Sequence, residues 1–330
     1  MAPKGARAPA AAPRRVAHAS GPEAAAVADP GSAKGGRPGE RLDVVDVHHH
    51  VGSAFRALGG PIEADAAREA VQAAQVELAS RLEIMDRGGV AQAIVIPGHG
   101  YERPNGIADT RAENDAIAAY RDRRRDRFPA AVGIVEPRDG AASFAEIDRV
   151  ANELALAGLS FHTRFQGVSL DSQWIRRYVE RMAGHGLVPV IHAMDETPEE
   201  ALWKLTALAR ALPSVTFLAL DAFGSYESTR HCFHVADVAA NVLFDTSLSY
   251  NFDFIEEFAN RFGAERVLFG TDLYSHPVGR RISHILGQIL ESGLDEAAKR
   301  RILGENARRL FRLQDSPHAP TRASFSSDGA

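Results

Sequence analysis

The 330-residue chain has one cysteine, Cys232, so it can form no internal disulfide, and a reducing compartment suits it. No run approaches the roughly 18 consecutive apolar residues that span a bilayer. The Ala-, Pro- and Gly-rich first 40 residues lack the apolar stretch of about 7–15 residues of a secretory signal. A cytoplasmic protein without membrane contacts is expected. Excess positive charge is also absent, since the formal net charge is −5, and nucleic acid is not an expected partner. Residues up to Arg41 carry seven Lys and Arg against three acids, or +4, which leaves −9 for the rest. The Arg121–Arg127 run interleaves acids with arginines and reads as a solvated helix face, not a phosphate patch. A Gly-rich dinucleotide fingerprint and a P-loop are both lacking, which removes the usual phosphate sites of an open α/β sheet.

What is present is alternation. Short apolar runs at Leu42–His50, Ala91–Pro97, Ala130–Pro137, Gly158–Thr163, Val188–Ala193, Val215–Ala222, Val242–Leu248 and Val267–Leu273 end in polar, Gly or Pro residues, as buried parallel strands do. Amphipathic segments lie between them. Ala64–Arg87, for example, spaces Ala67, Val71, Ala74, Leu78, Leu82 and Met85 by three and four, and Pro198 after Thr197 predicts a helix over Pro198–Ala211. Eight strand–helix repeats predict α/β architecture. Polar residues end several different strands, namely His48 and His50, His162, His192, Asp221 and Asp272, which favours a closed (β/α)8 TIM barrel over an open sheet. The barrel is expected over residues 41–313, with disordered extensions at 1–40 and 314–330.

The densest motif is Asp46-Val47-His48-His49-His50. Strict strand alternation places Asp46, His48 and His50 on one face and His49 on the other. Two imidazoles on one face can reach a single ion at about 2.0–2.1 Å. His192 and Asp272 each end an apolar strand. Singly, they also fit an ordinary structural histidine and a helix-capping aspartate. Together the four supply three nitrogens and one oxygen, a set suited to Zn2+ that also accepts Mn2+, Fe2+ or Co2+.

The D-x-H-x-H strand, the strand-end His192, the F-G-T-D segment at Phe269–Asp272 and I-L-G-E-N-A-R-R-L-F at Ile302–Phe311 resemble the amidohydrolase superfamily. The branch resembled contains aminocarboxymuconate-semialdehyde decarboxylase and related aromatic acid decarboxylases, and the likeness runs from about Leu42 to Leu313. It implies a barrel with one metal on His48, His50, His192 and Asp272, with Asp272 also moving protons. Two departures stand out. The fourth strand has no lysine to be carboxylated as a bridge between two metals, and the sixth ends in Asp221 where the family usually has histidine.

The leading expectation is a metal-dependent hydrolase of a small amide, lactone or related acyl substrate. Asp272, Asp221 and His162 would be catalytic, and Arg164, His99 and Tyr274 would contact substrate. Tyr101 and His276 also fall on loops that border the pocket. The alternatives are a non-oxidative metal-dependent decarboxylase of an aromatic or enoic acid, and a non-catalytic barrel used as a binding partner. A homodimer is the commonest assembly for such chains.

Overall fold

The computed structural model describes residues 42–52, 66–98, 103–275 and 283–314. The extension at 1–40 and the tail from 315 onward lie outside them, as do His99, Tyr101 and His276. Within them, eight short strands alternate with helices: β1 (Val45–Val51), α1 (Ala66–Gly88), β2 (Gln92–Pro97), α2 (Ile107–Arg123), β3 (Val132–Ile134), α3 (Ser143–Asn152), β4 (Gly158–Phe161), α4 (Thr163–Gln166), α5 (Gln173–His185), β5 (Val188–His192), α6 (Leu202–Ala211), β6 (Phe217–Leu220), α7 (Tyr226–Val238), β7 (Val242–Asp245), α8 (Phe252–Phe262) and β8 (Val267–Leu268). The chain then turns through α9 (Ile285–Glu291), α10 (Glu296–Arg300) and α11 (Asn306–Phe311). No described helix is long and apolar enough to cross a membrane.

All pairings are parallel. β1 pairs with β2, and β3 to β8 follow one another in order. A Val95–Ala131 bridge joins the two sets on one side. On the other, Val47 N–H donates to Phe269 O at 3.0 Å and His50 N–H to Leu273 O at 2.7 Å, beside a His49–Leu273 bridge. The sheet closes on itself as a (β/α)8 barrel.

The two faces of each strand enter different layers, as a period of two requires. Val45, Val47, Ile94, Ile96, Val132, Val190, Leu218, Leu220, Leu243 and Leu268 form one buried cluster from seven strands, which only the barrel interior permits. Ala307 and Phe311 of α11 join it and seal the end opposite the strand carboxyl termini. Outward residues such as Val95, Phe161, Ile191, Phe217 and Phe244 pack under the helices.

β1 breaks this rule once, and the expected face assignment with it. Asp46 pairs with Ala93 and His49 with Val95, so Val47 and His48 together oppose Ile94, a β-bulge. With Val45 and Val47 inside, unbroken alternation would turn His48 and His50 outward. The extra residue brings both inward and leaves Asp46 and His49 together on the outer face, toward α1.

Two other boundaries differ from the sequence reading. The helix expected from Pro198 starts at Leu202, because residues 195–201 turn back and Asp195 Oδ1 accepts from Leu202 N at 2.9 Å. β8 is a regular ladder for only two residues, and beyond them the chain touches β1 at Phe269 O and Leu273 while carrying Asp272 between. The arginine run is not wholly solvated. Arg121 donates to the Leu154 and Ala155 carbonyls and Arg127 to those of Val90 and Ala91.

Among the outer-layer aromatics, Phe258 lies fully buried against Phe223, Phe233, Phe244 and Phe262, with ring centroids 4.9–5.4 Å apart. Phe258→Ala is expected to cost about 3–5 kcal/mol, measured as a lowered midpoint in urea unfolding. A change below 1 kcal/mol would mean that this layer packs loosely.

Candidate metal centre at the mouth of the barrel

Three histidines and several carboxyls converge at the carboxyl ends of the strands. His48 lies in the bulge and His50 just past it, His192 ends β5, and Asp272 follows β8. The three imidazole centroids lie 4.8, 5.2 and 5.5 Å apart, and one ring nitrogen of each falls within 4.8 Å of the others. His48, Asp221 and Asp272 form a second such group.

The tautomers follow from the partners. His48 Nδ1 lies 2.9 Å from Asp245 Oδ2, His50 Nδ1 lies 2.8 Å from Pro97 O and His192 Nδ1 lies 3.2 Å from Phe161 O. Each Nδ1–H therefore donates outward, which points Nε2 of His48 at Nε2 of His50, 2.9 Å away. Asp272 Oδ1 is buried, has no hydrogen-bond partner among the described residues, and lies 3.3 and 3.4 Å from those two nitrogens. Atoms bound at about 2.0–2.1 Å to one tetrahedral ion stand about 3.4 Å apart. Two converging imidazole nitrogens and a buried carboxylate oxygen without a hydrogen-bond partner, at such spacings, fit a divalent cation.

The local field agrees. Burial opposes a charge on His48, but Asp272, Asp221 and Asp245 outweigh it and push the imidazole up to about 10. Burial drives the Asp272 carboxyl well above the usual range, with His48 pulling the other way. Asp221 is raised to about 6 by burial, again opposed by His48. The cage thus favours a positive charge where the ligand atoms meet. Asp221 and Asp272 both adopt left-handed backbone, with φ of 64° and 56°. Aspartate enters that region more readily than most residues, and such strain concentrates at functional sites.

β7 contributes support that the sequence reading did not single out. Asp245 Oδ1 accepts from Asp221 N at 3.0 Å and from Ser247 Oγ at 2.7 Å, while Ser247 Oγ also lies 2.8 Å from Asp221 Oδ1 and 3.0 Å from His48 Nδ1. Gly270 leaves room for this, since a Cβ there would meet the Asp245 carboxylate. The visible signal was another apolar strand ending in an acid.

β4 ends at Phe161, so His162 caps α4 and Arg164 lies within it. Both meet Glu200. His162 Nδ1 lies 2.5 Å from Glu200 Oε1, and Arg164 Nε lies 3.4 Å from Glu200 Oε2. The His162 ring stacks on His192 at 4.0 Å and 3°. Burial raises Glu200 to about 8, with Arg164 pulling it down. Tyr274 stacks on His50 at 4.5 Å and 17°. The structure thus gathers every described candidate at one mouth, including Arg164, whose charge acts on Asp221.

The amidohydrolase family profile matches residues 45–313. The chain belongs to the amidohydrolase family. No curated protein matches this amidohydrolase-family chain. Similar solved structures include 5-carboxyvanillate decarboxylase from Sphingomonas paucimobilis, 17% identical, covering 83% of this chain and 100% of that one, TM-score 0.61. Another is 2,6-dihydroxybenzoate decarboxylase from Rhizobium, 18% identical, covering 82% and 99%, TM-score 0.62. A third is a dihydroxybenzoic acid decarboxylase from a Polaromonas species with bound manganese and 2-nitroresorcinol, 14% identical, covering 82% and 97%, TM-score 0.61. At these identities the likeness establishes the fold.

Asp245→Asn removes the carboxylate charge behind His48. It is expected to weaken Zn2+ or Mn2+ binding by roughly tenfold or more, read by competition with a chromophoric chelator. Unchanged affinity would show that Asp245 does not support the imidazole.

Proposed function

We propose that the chain is a metal-dependent, non-oxidative decarboxylase of an aromatic or enoic carboxylic acid, with one divalent ion on His48, His50, His192 and Asp272. The observation that carries this reading is Arg164 at the mouth. Its side chain stays 28% exposed while Glu200 and the Phe165 ring, 4.7 Å below the guanidinium, hold it in place. A cation-binding donor set beside an oriented guanidinium is matched to an anionic substrate, and a guanidinium fork pairs well with a carboxylate. A neutral amide or lactone makes no use of Arg164. The aromatic acid decarboxylases that share the fold, one of them with bound manganese, support the same choice over the hydrolase expected first. They also make Mn2+ as good a candidate as Zn2+ for three nitrogens and an oxygen.

When bound, the ion supplies a Lewis acid to substrate oxygens. Arg164 orients the substrate, and Tyr274 walls the pocket against His50. As the bond to the carboxyl carbon breaks, its electron pair stays on the substrate carbon and CO2 departs. The carbon takes a proton from the Asp221 carboxyl, and solvent returns that proton. Asp221 lies where the resemblance implies histidine, and its raised value of about 6 places an acid form within reach of neutral pH. His162, locked between Glu200 and His192, fixes the adjacent wall.

One observation favours hydrolysis as a second reading. Asp221 as a carboxylate is also a competent acceptor for a water proton. Incubating metal-loaded protein with hydroxybenzoates, enoic acids, amides and lactones separates the two. CO2 release from acids is expected, with Arg164→Ala raising KM by about 10–100-fold, the worth of a charge-assisted pair. His50→Ala should abolish stoichiometric metal. Turnover of amides or lactones with no CO2 from any acid would reject decarboxylation.

A further inference from the structure

The bulge that turns His48 and His50 inward is held from behind by a buried chain of polar groups that the proposed reaction does not use. Asp46 Oδ1 accepts from His48 N at 3.0 Å and from Thr271 N at 3.2 Å, while Asp46 Oδ2 accepts from His49 Nε2–H at 2.8 Å. One carboxylate thereby grips β1 at the first metal-binding histidine and the β8 loop at the residue before Asp272. His49 Nε2 is the donor in that bond, so Nδ1 is free to accept, and Arg81 Nη1 stands 3.2 Å from it. Burial holds His49 below its ordinary value, with Asp46 opposing and Arg81 adding to the effect, as a neutral ring between a carboxylate and a guanidinium requires.

Arg81 reaches this point from α1 and is almost completely buried. Its Nη2 donates to His50 O at 2.7 Å and to Ser275 Oγ at 3.1 Å, and its Nε donates to Glu77 Oε1 at 2.8 Å. Ser275 Oγ donates in turn to Glu77 Oε1 at 2.9 Å and accepts from Gly52 N at 2.9 Å. Glu77 Oε2 accepts from Tyr120 OH at 2.7 Å. A buried guanidinium costs several kcal/mol in lost solvation. A lone aliphatic side chain would fill the same volume without that cost, so packing does not explain an arginine here. Its contacts fall on β1 at two successive residues and on the β8 loop three residues past Asp272. Three of the four residues in the proposed donor set ride on this seam, where the β8 ladder has already ended.

We infer that Arg81 is a positioning residue for the metal centre. Through His49 and Asp46 it stabilises the β1 bulge, and through His50 O and Ser275 it sets the distance between the His48–His50 pair and Asp272. The inference rests on the proposed metal centre and concerns its geometry rather than the reaction. Arg81→Met should leave a folded protein whose Co2+ affinity falls by about 10–100-fold, the usual scale for support behind a ligand. The visible spectrum of bound Co2+ should shift in position and intensity, because Asp272 is no longer held against the imidazoles. Arg81→Lys keeps the charge but replaces the planar fork by one point donor, and should recover only part of both signals.

The assay is Co2+ titration of the full chain, with the absorption spectrum recorded at saturation. Should Arg81→Met fail to fold, Ser275→Ala and His49→Gln cut the same chain while keeping the buried charge, and each should alter the Co2+ spectrum. Parental affinity and spectrum in Arg81→Met, or in both of those variants where Arg81→Met does not fold, would overturn the assignment. Absence of Co2+ binding by the parent protein would instead reject the metal centre itself, so the two failures are distinguishable.

Discussion

Between Asp46 and His49 the first strand carries one residue more than the strand beside it, and the arrangement at the mouth depends on that residue staying where it is. Strand geometry allows side chains on one face only at every second position. Val45 and Val47 already occupy the interior, so a regular β1 would have sent His48 and His50 under the helices and placed His49 alone at the mouth. A single inserted residue reverses this, bringing two imidazoles to within 2.9 Å of each other. An insertion of this kind leaves one residue out of the ladder. The free backbone and side-chain groups must then be satisfied locally, and Asp46 takes the amide of His48 and the ring of His49 together.

The same arrangement answers a second problem, at the closure of the barrel. β8 offers only two residues to the ladder, yet Asp272 lies beyond them in left-handed backbone. Residues on either side of it are tied to β1, Thr271 through the Asp46 carboxylate and Leu273 through the His50 amide. The strand that delivers two histidines thus also delivers the carboxylate. A distortion of the seam moves all three together and preserves their mutual distances better than independent supports would. His192 stands apart on β5, held through Phe161 O and by the parallel ring of His162.

Much of this was legible in the residue order, and the reasons are physical. Buried parallel strands leave short, unbroken apolar runs, so eight of them were visible, and polar residues at their carboxyl ends stood out against that background. His48, His50, His192 and Asp272 were found in this way and do converge. Register is a property of two strands together, however, and nothing within Asp46–His50 distinguishes a bulged strand from a regular one. Glu200 was hidden by a proline that reads as a helix start, whereas residues 195–201 turn back and direct its carboxyl to His162. Asp245 looked like any strand end, because its importance comes from His48, 197 positions earlier. Arg81 looked like one polar residue on an amphipathic helix. Only the fold shows that its face of α1 is turned to the seam.

The charges at the mouth add a constraint that neither strands nor helices impose. Asp221, Asp245 and Asp272 surround His48, and burial raises the energy of each ionised carboxyl. Without compensation, such a cluster would take up protons, which is the tendency that the raised values of His48, Asp221 and Asp272 express. In the proposed centre a divalent cation would supply the compensation at the point where the Nε2 atoms of His48 and His50 face each other. With Asp272 on such an ion and Asp245 engaged behind His48, Asp221 would be the carboxyl left to exchange a proton with substrate in the proposed reaction. Arg164 lies on the short helix after β4, beside Glu200, and in the proposed reaction an anionic substrate between it and the ion would complete the neutralisation. That ordering of charges explains why an arginine and a cluster of acids share one mouth. Glu200 already partners the arginine, and in the proposed reaction the ion would balance the acids while the substrate carboxylate would share the guanidinium.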